Sequence, residues 1–394
     1  MVGRPGTPRL LREINDRAAL ELLLADGPLT RAQLGERTGL SKVTASQTLL
    51  RLEERGLVAV TGQQAGGRGP SAAVYAVVPT LGYVAGLHVE HDGVSAGVAD
   101  VTGRVLAEVS VDPNGADDPV GVVRGAVARA CQAAGVDLAR LSALVIGAPG
   151  VLDPSTGDPR LAVNLPAWHE GVLAALRSGL GKPVTIQNDV NLAAMAEHEA
   201  GAARGAADFA LVWLGTGLGL AAMLGGRLHQ GVRGAAGEIG YLPVPGVPLP
   251  EDLTRPAAGG FRSLAGGAEV MELAARHGFT APAAGEAVRS AMAALTAGSP
   301  GAAAFAAELA RRVAIGVAAI AVTLDPGLVV LGGEVGQAGG DILAARVADE
   351  VGRICPVVPS VVATAVPDAP VLRGALLAAV AEARAGLLAS VGDD

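Results

Sequence analysis

The stretch from Leu40 to Val58 constrains this chain more than any other, because one helical face of it suits a protein core and the other a nucleic-acid groove. Ser41 supplies a hydroxyl N-cap, and Val43, Leu49, Leu50, Leu52 and Leu57 recur after it at helical spacing. The opposite face offers Lys42, Thr44, Ser46, Gln47 and Arg51, short polar or cationic groups suited to base edges and phosphates. Upstream, Thr30 caps an earlier helical run that ends on Gly39 as a left-handed stop. Helix, glycine turn and capped helix is the spacing of a helix-turn-helix. A helical hairpin packed on a larger body has the same spacing, so the flanking segments decide.

Residues 9–25 form a first amphipathic helix with Leu10, Ile14, Ala18, Leu22 and Leu23 on one side, broken by Asp26-Gly27-Pro28. After Arg55-Gly56, two β-rich arms, Leu57–Thr61 and Ala73–Val77, flank a loop holding Gly66, Gly67, Arg68, Gly69 and Pro70. That pattern is a wing. Arg68 at its tip is placed to enter a minor groove, where an extended cation meets strong negative potential, although an exposed arginine on a loop needs no partner. Three helices followed by a wing predict a winged helix-turn-helix over residues 1–78. Charge distribution agrees: residues 1–78 carry a net charge of +3 and the remainder −11, within an overall −8. A basic head on an acidic body suits a small DNA-binding domain carried by a sensor.

From Pro79 the pattern changes, and an internal repeat emerges. Residues 81–111 read strand, polar turn, strand, glycine turn, strand, and the segment starting near Phe209 reads the same way. Between the copies lie a helix (Pro119–Ala134), a buried strand (Leu141–Gly147), and a helix and strand ending at Asn188-Asp189. After the second copy come the helices Ala268–Ala275, Glu286–Leu295 and Ala302–Leu324, the strand Leu328–Leu331 and a final helix, Val371–Leu388. Two similar α/β halves with a cleft between them are the plan of the actin-like, hexokinase-type ATPase fold. Aromatic residues make up only 2% of the chain, so its core must be Ala, Val and Leu. No apolar run reaches the length of a membrane span, the start lacks a secretory core, and Cys131 and Cys355 are too few for a disulfide framework. These features predict a cytoplasmic protein that does not engage membranes.

Specific motifs then accumulate: IGAPGVLD at Ile146–Asp153, NLPAW at Asn164–Trp168, QNDVNLAAMAEHEAGAARG at Gln187–Gly205, LGTGLG at Leu214–Gly219, GAAGEIGY at Gly234–Tyr241 and VVLGGEV at Val329–Val335. In order and spacing, over roughly 300 residues, the chain resembles the ROK family of repressors and sugar kinases, and with its winged helix that family's sugar-responsive repressors. The resemblance implies an N-terminal α/β lobe over 79–197 completed by the helix at 371–390, a C-terminal lobe over 198–370, and an effector cleft between them. It also implies that Asp189 holds the kinase catalytic-base position and that Asn164, Asn188 and Glu238 hydrogen-bond sugar hydroxyls. Asp189 and Asn188 would equally serve as helix cap and turn residues.

The phosphate side departs from the family. Its first phosphate turn reads Asp-x-Gly-Gly-Thr, whereas here Leu87 is followed by His88, Val89, Glu90, His91 and Asp92. Carboxylates at a triphosphate turn repel the nucleotide, by about 1–4 kcal/mol for like charges about 4 Å apart, so no enzymatic activity and no cofactor are expected. The family zinc site departs too: Tyr241 stands where a histidine is usual, no cysteine follows it, and no metal site is expected. The glutamate that follows the family's cysteines and contacts sugar falls at Phe261. The sequence therefore predicts a DNA-binding transcriptional regulator, a repressor of carbohydrate-utilisation genes. Its partners would be a double-stranded operator, a small sugar or sugar phosphate seated near Asn164, Asn188, Asp189, Glu238 and Tyr241, and further copies of itself in a homodimer or tetramer. Two rival readings stay open: a working sugar kinase with an accessory DNA-binding head, and a regulator whose cleft is vestigial.

Overall fold

The computed structural model describes residues 7–65, 71–90, 93–112, 118–152, 159–161, 184–250, 259–366 and 368–391. Its first unit comprises α1 (Pro8–Asp26), β1 (Leu29–Thr30), α2 (Arg31–Thr38), α3 (Lys42–Glu54), β2 (Val58–Gln64) and β3 (Ala72–Val77). Local chemistry sets these boundaries. Thr30 and Gln33 form a reciprocal capping box at the start of α2, Gly39 ends that helix at φ 72°, and the Ser41 hydroxyl accepts the Thr44 amide at 3.2 Å. The wing arms pair antiparallel, and β1 adds a third strand on β3 that the sequence did not announce.

Two helix faces differ from expectation. On α1 the buried residues are Asp16, Ala19, Leu20, Leu23 and Leu24, whereas Leu10 and Ile14 are exposed. On α3 the core takes Ala45, Thr48, Leu49 and Leu52, leaving Val43 (66% exposed) and Leu50 (55%) in solvent. The reason is a polar group at the α1–α3 seam. Asp16 is buried there and is satisfied by Arg51, which rotates each helix about its axis relative to a purely apolar alignment.

The body repeats one topology twice. In the first lobe β4 (Tyr83–Val89), β5 (Val94–Asp100) and β6 (Val105–Val111) form an antiparallel meander; α4 (Pro119–Ala134) then leads to β7 (Leu141–Ala148). A small ladder, β8 (Val151–Leu152) with β9 (Pro159–Leu161), precedes β10 (Val184–Asn188), and the sheet order is β10-β7-β4-β5-β6. After α5 (Asp189–Ala200), the second lobe lays β11 (Phe209–Leu214), β12 (Leu218–Leu224) and β13 (Arg227–Leu228) as another meander. Helices α6 (Arg262–Ala265), α7 (Gly267–Arg276), α8 (Ala284–Thr296) and α9 (Pro300–Leu324) then lead to β14 (Leu328–Gly332). Next come α10 (Gly333–Ile354, broken at Gly340) and β15 (Ser360–Ala363), and the chain ends in α11 (Pro370–Ser390). The second sheet runs β15-β14-β11-β12-β13, the same order as the first. The sequence repeat is thus a structural repeat; α10 and β15 are among the elements that pattern reading missed.

Each sheet is covered on both faces, so its central strands are apolar on alternating sides. In β11, Phe209 and Leu211 face an interlobe layer while Ala210 and Val212 face α7–α10. That interlobe layer consists of α5 and α11, whose Val190, Leu192, Leu372, Ala375 and Leu376 pack between the two sheets. Close approach requires glycine: a Cβ on Gly374 of α11 would stand 1.9 Å from the Leu192 carbonyl oxygen of α5. At its far end α11 enters the head. Leu387, Leu388 and Val391 join Leu20, Leu49, Leu57 and Val77 in one cluster, together with Val101 of the first lobe. Among the described residues no helix is long and apolar enough to cross a membrane.

Candidate functional site

In the head, the exposed residues of α3 are Lys42, Val43, Gln47 and Leu50, followed at its C-terminal end by Glu53 and Glu54, with Thr44 and Ser46 half-buried. Ser41 is exposed, and its hydroxyl is engaged as the cap and lies 2.9 Å from the Thr44 hydroxyl. Arg51, expected on the groove-facing side, is engaged within the head. Its Nε donates to Asp16 Oδ2 at 3.0 Å and its guanidinium also donates to Asp16 Oδ1 and to the Thr48 hydroxyl. Hydrogen bonding to Asp16 holds the guanidinium above its ordinary pKa. Arg51 is therefore a structural cation tying α3 to α1, and the exposed apolar pair Val43 and Leu50 takes the place expected for polar groups. Arg68 lies outside the described residues.

Between the lobes is a cavity of about 400 Å³. Its floor is the β10–α5 junction, where Asn188 is the N-cap: its Oδ1 accepts the Asn191 amide at 3.0 Å and its Nδ2 donates to the Gly150 carbonyl at 3.2 Å. Asp189 is the first helical residue, and its carboxylate accepts its neighbour Val190's amide at 2.8 Å. Burial pushes the Asp189 carboxyl above the usual range, opposed by His88 and by backbone amides. Glu238 stands across the cavity. It follows Gly237, where φ is 106° and a Cβ would strike the Leu220 carbonyl oxygen, so only glycine lets this turn sit against β12. Burial raises the Glu238 carboxyl as well, with Arg262 acting in the other direction. Asn164 lies outside the described residues.

Acidic groups also line the cavity. His88, next to last in β4, has Nδ1 3.7 Å from Glu90 Oε2, and burial lowers its pKa. Opposite, the turn Gly215-Thr216-Gly217 is closed by Glu334, whose Oε1 accepts the Thr216 hydroxyl at 3.3 Å.

Tyr241 and Arg262 line the same cavity. The Arg262 guanidinium carbon lies 5.7 Å from the centre of the Tyr241 ring. The Tyr241 hydroxyl is buried and has no hydrogen-bond partner among the described residues. Phe261, where the resemblance put a sugar contact, is instead fully buried in the second-lobe core, and the next residue, Arg262, reaches the cavity. A hint was available: in a chain with four phenylalanines, a Phe between Gly260 and Ala265 is a core anchor by composition. The donor set for a zinc ion does not fit here. Tyr241 replaces the histidine, and the two cysteines, Cys131 and Cys355, are buried elsewhere in separate lobes.

Comparison with known proteins agrees with this architecture. A model of the ROK family matches residues 84–381 and one of the MarR family matches residues 15–69. The chain is 28% identical over 244 residues to the DNA-binding transcriptional dual regulator NagC of Escherichia coli K12, covering 61% of this chain and 59% of that protein. It therefore spans about three fifths of the length of the curated relatives it matches. The crystal structure of a ROK family transcriptional regulator, described as a homolog of the E. coli MLC protein, superposes with a TM-score of 0.75 at 21% identity over 98% of this chain and all of that one. That of a ROK hexokinase from Thermus thermophilus gives 0.61 at 30% identity, over 75% of this chain and 97% of that one. With the family model running over some three quarters of its length, the chain belongs to the ROK family.

Proposed function

We propose that this protein is a DNA-binding transcriptional regulator, a repressor whose hold on its operator is released by a small carbohydrate bound between the lobes. The observation that carries the reading is α11. It begins beside the cleft, where Ala369, Pro370 and Val371 line a second cavity that shares His88, Glu90 and Glu334 with the first. It runs about 31 Å at 1.5 Å per residue and ends inside the head core. Arg55, at the C-cap of α3, donates to the Val391 carbonyl at 3.3 Å and to that of Ser390 at 3.4 Å. On α11 itself, Arg384 donates to the Val101 and Thr102 carbonyls of the first lobe. The winged helix is thus seated on the body by a rod, in addition to the short turn Pro79–Leu81, and a lobe movement is felt by α3.

The exposed strip of α3 supports the DNA reading. Lys42 meets a phosphate and Gln47 a base edge, while Val43 and Leu50 offer apolar contact to thymine methyl groups. A homodimer would set two such helices on half-sites about one helical turn, or a multiple of it, apart.

Kinase activity fits poorly with Glu90 at the cavity, where the family's first phosphate turn carries glycine, although the glycine turns Gly215-Thr216-Gly217 and Gly332-Gly333 are kept. The test is a mobility-shift titration of the full chain against its own promoter region, with and without a carbohydrate panel, beside a coupled assay with ATP. Specific binding released by a carbohydrate, with no phosphoryl transfer, is expected. Absence of preference for any duplex would overturn the regulator reading, and turnover abolished by Asp189→Asn would establish the kinase instead.

A further inference from the structure

Among the described residues, the cleft is lined by four carboxylates, Glu90, Asp189, Glu238 and Glu334, and by one arginine, Arg262. Arg262 and Tyr241 line the same cavity as those carboxylates. The Tyr241 hydroxyl is a buried donor with no partner among the described residues. A buried hydroxyl left unpaired costs on the order of 1–3 kcal/mol, so its persistence beside a cavity points to a ligand atom. Arg262 is the only arginine among the described residues lining this cavity, which is lined also by Asp189 and Glu238. Among the described residues, no carboxylate lies within 4.0 Å ion-pairing distance of its guanidinium, Glu238 included. Its guanidinium carbon lies 5.7 Å from the centre of the Tyr241 ring, which holds the two side chains together at the cavity.

We propose that Arg262 and Tyr241 form a carboxylate subsite, and that the carbohydrate recognised by this cleft is a sugar acid, a hexuronate or aldonate, rather than a neutral hexose or a sugar phosphate. The proposal rests on the reading of the cleft as an effector site. A guanidinium presents two parallel N–H groups to the two oxygens of a carboxylate, and the tyrosine O–H supplies a third donor at an angle. The guanidinium can only donate, so a carboxylate satisfies its fork more fully than a neutral CH₂OH group, with Glu238 supplying only part of its compensation. Asp189 and Glu238 then accept from ring hydroxyls, as the donors of a sugar require. A phosphate ester is disfavoured because its second negative charge would sit in a cavity already lined by Asp189, Glu238, Glu90 and Glu334. The volume of about 400 Å³ lies within the range of small-molecule sites, roughly 300–1,000 Å³.

Calorimetric titration of the full chain with glucuronate, galacturonate and gluconate, against glucose, galactose and glucose 6-phosphate, tests the proposal; operator release is followed in parallel. At least one sugar acid is expected to bind 30-fold or more tightly than its neutral counterpart and to release the operator. Arg262→Gln and Tyr241→Phe should each collapse that acid-to-neutral ratio by tenfold or more, and Arg262→Lys, which keeps the charge and loses the fork, should fall between. A neutral hexose or the phosphate ester binding as tightly as every acid would overturn the subsite while leaving the regulator reading intact. So would an Arg262→Gln variant that loses acid and neutral ligands in equal proportion, the mark of a merely structural arginine. Failure of every carbohydrate to bind or release would remove both the subsite and the effector cleft, while specific operator binding would still support the DNA claim.

Discussion

Replacing Arg51 separates the two roles that a cation on α3 can have. Its side chain is 28% exposed and that of its partner Asp16 only 8%. Arg51→Ala would leave a buried carboxylate facing the α1–α3 seam and would orphan the Thr48 hydroxyl. Breaking a buried pair in this way costs about 3–5 kcal/mol; water reaching the arginine end lowers the expectation to about 2–3 kcal/mol. Because each 1.4 kcal/mol is tenfold, hydrogen exchange at the core amides of α1 and α3 should speed up about 30- to 150-fold in the full chain. Arg51→Lys, which keeps the charge and loses the fork, should cost about 1 kcal/mol. The apolar double replacement Asp16→Leu with Arg51→Met should recover most of the loss, since no charge then remains buried. Operator affinity of Arg51→Ala, measured at low temperature where the head stays folded, should change less than threefold. Unchanged protection together with lost operator binding would show that the guanidinium faces DNA and that the Asp16 pairing is incidental.

Lys42→Ala should behave oppositely, leaving exchange untouched and weakening binding to all duplexes alike; the slope of log affinity against log salt should fall by about one unit, the signature of one phosphate contact. Glu238 carries a pH signature. Burial raises its carboxyl in the folded chain, so between its unfolded and folded pKa values the native state binds more protons than the unfolded state, and stability falls as pH rises through that window. Denaturant titrations should therefore find Glu238→Gln more stable than the parent at neutral pH, with the difference vanishing below the unfolded carboxylate pKa; a difference that grows on acidification would refute the desolvation argument.

Much of this architecture is legible in the chain because it rests on local chemistry. Thr30, Gly39 and Ser41 are caps whose side chains or φ values dictate helix ends, and all three act where the sequence put them. The Gly-Arg pairs at Gly103 and Gly226 mark corresponding turns of two sheets that prove to share one strand order. What escaped depends on contacts distant in sequence. Nothing near Asp16 announces Arg51, 35 residues away, and without that pairing the apolar spacing of α1 and α3 favours the wrong face. Helix α10 escaped because Gly333, Gly336, Gly339 and Gly340 give it a loop's composition; its propensity is overridden by packing of Val335, Leu343 and Val347 against the second-lobe core. Arg262 was hidden by a single-residue offset across a proline-rich loop.

On the proposed reading, coupling between cleft and operator needs little energy. A tenfold change in operator affinity corresponds to about 1.4 kcal/mol of difference between the two states. Hydrogen bonds to a charged donor are worth about 1.5–3 kcal/mol when unscreened. Arg55 makes two long ones to the end of α11, exposed enough to be worth less, and together they are of the magnitude required. The opposite end of the rod is held by a buried acid: Glu197 of α5 accepts the Ala202 amide at 2.7 Å, the Val366 amide at 3.1 Å and the Thr364 hydroxyl, fixing the segment that leads into α11. Between these anchors, Gly374 and the small residues around it keep α11 in backbone contact with α5, the helix that carries Asp189 into the cleft. A ligand that shifts Asp189 therefore shifts a helix that α11 cannot avoid, and the terminal turn passes the movement to the Arg55 contacts. A cleft that did not bind nucleotide would suit such a device, because closure would then answer to the carbohydrate alone and not to the nucleotide supply.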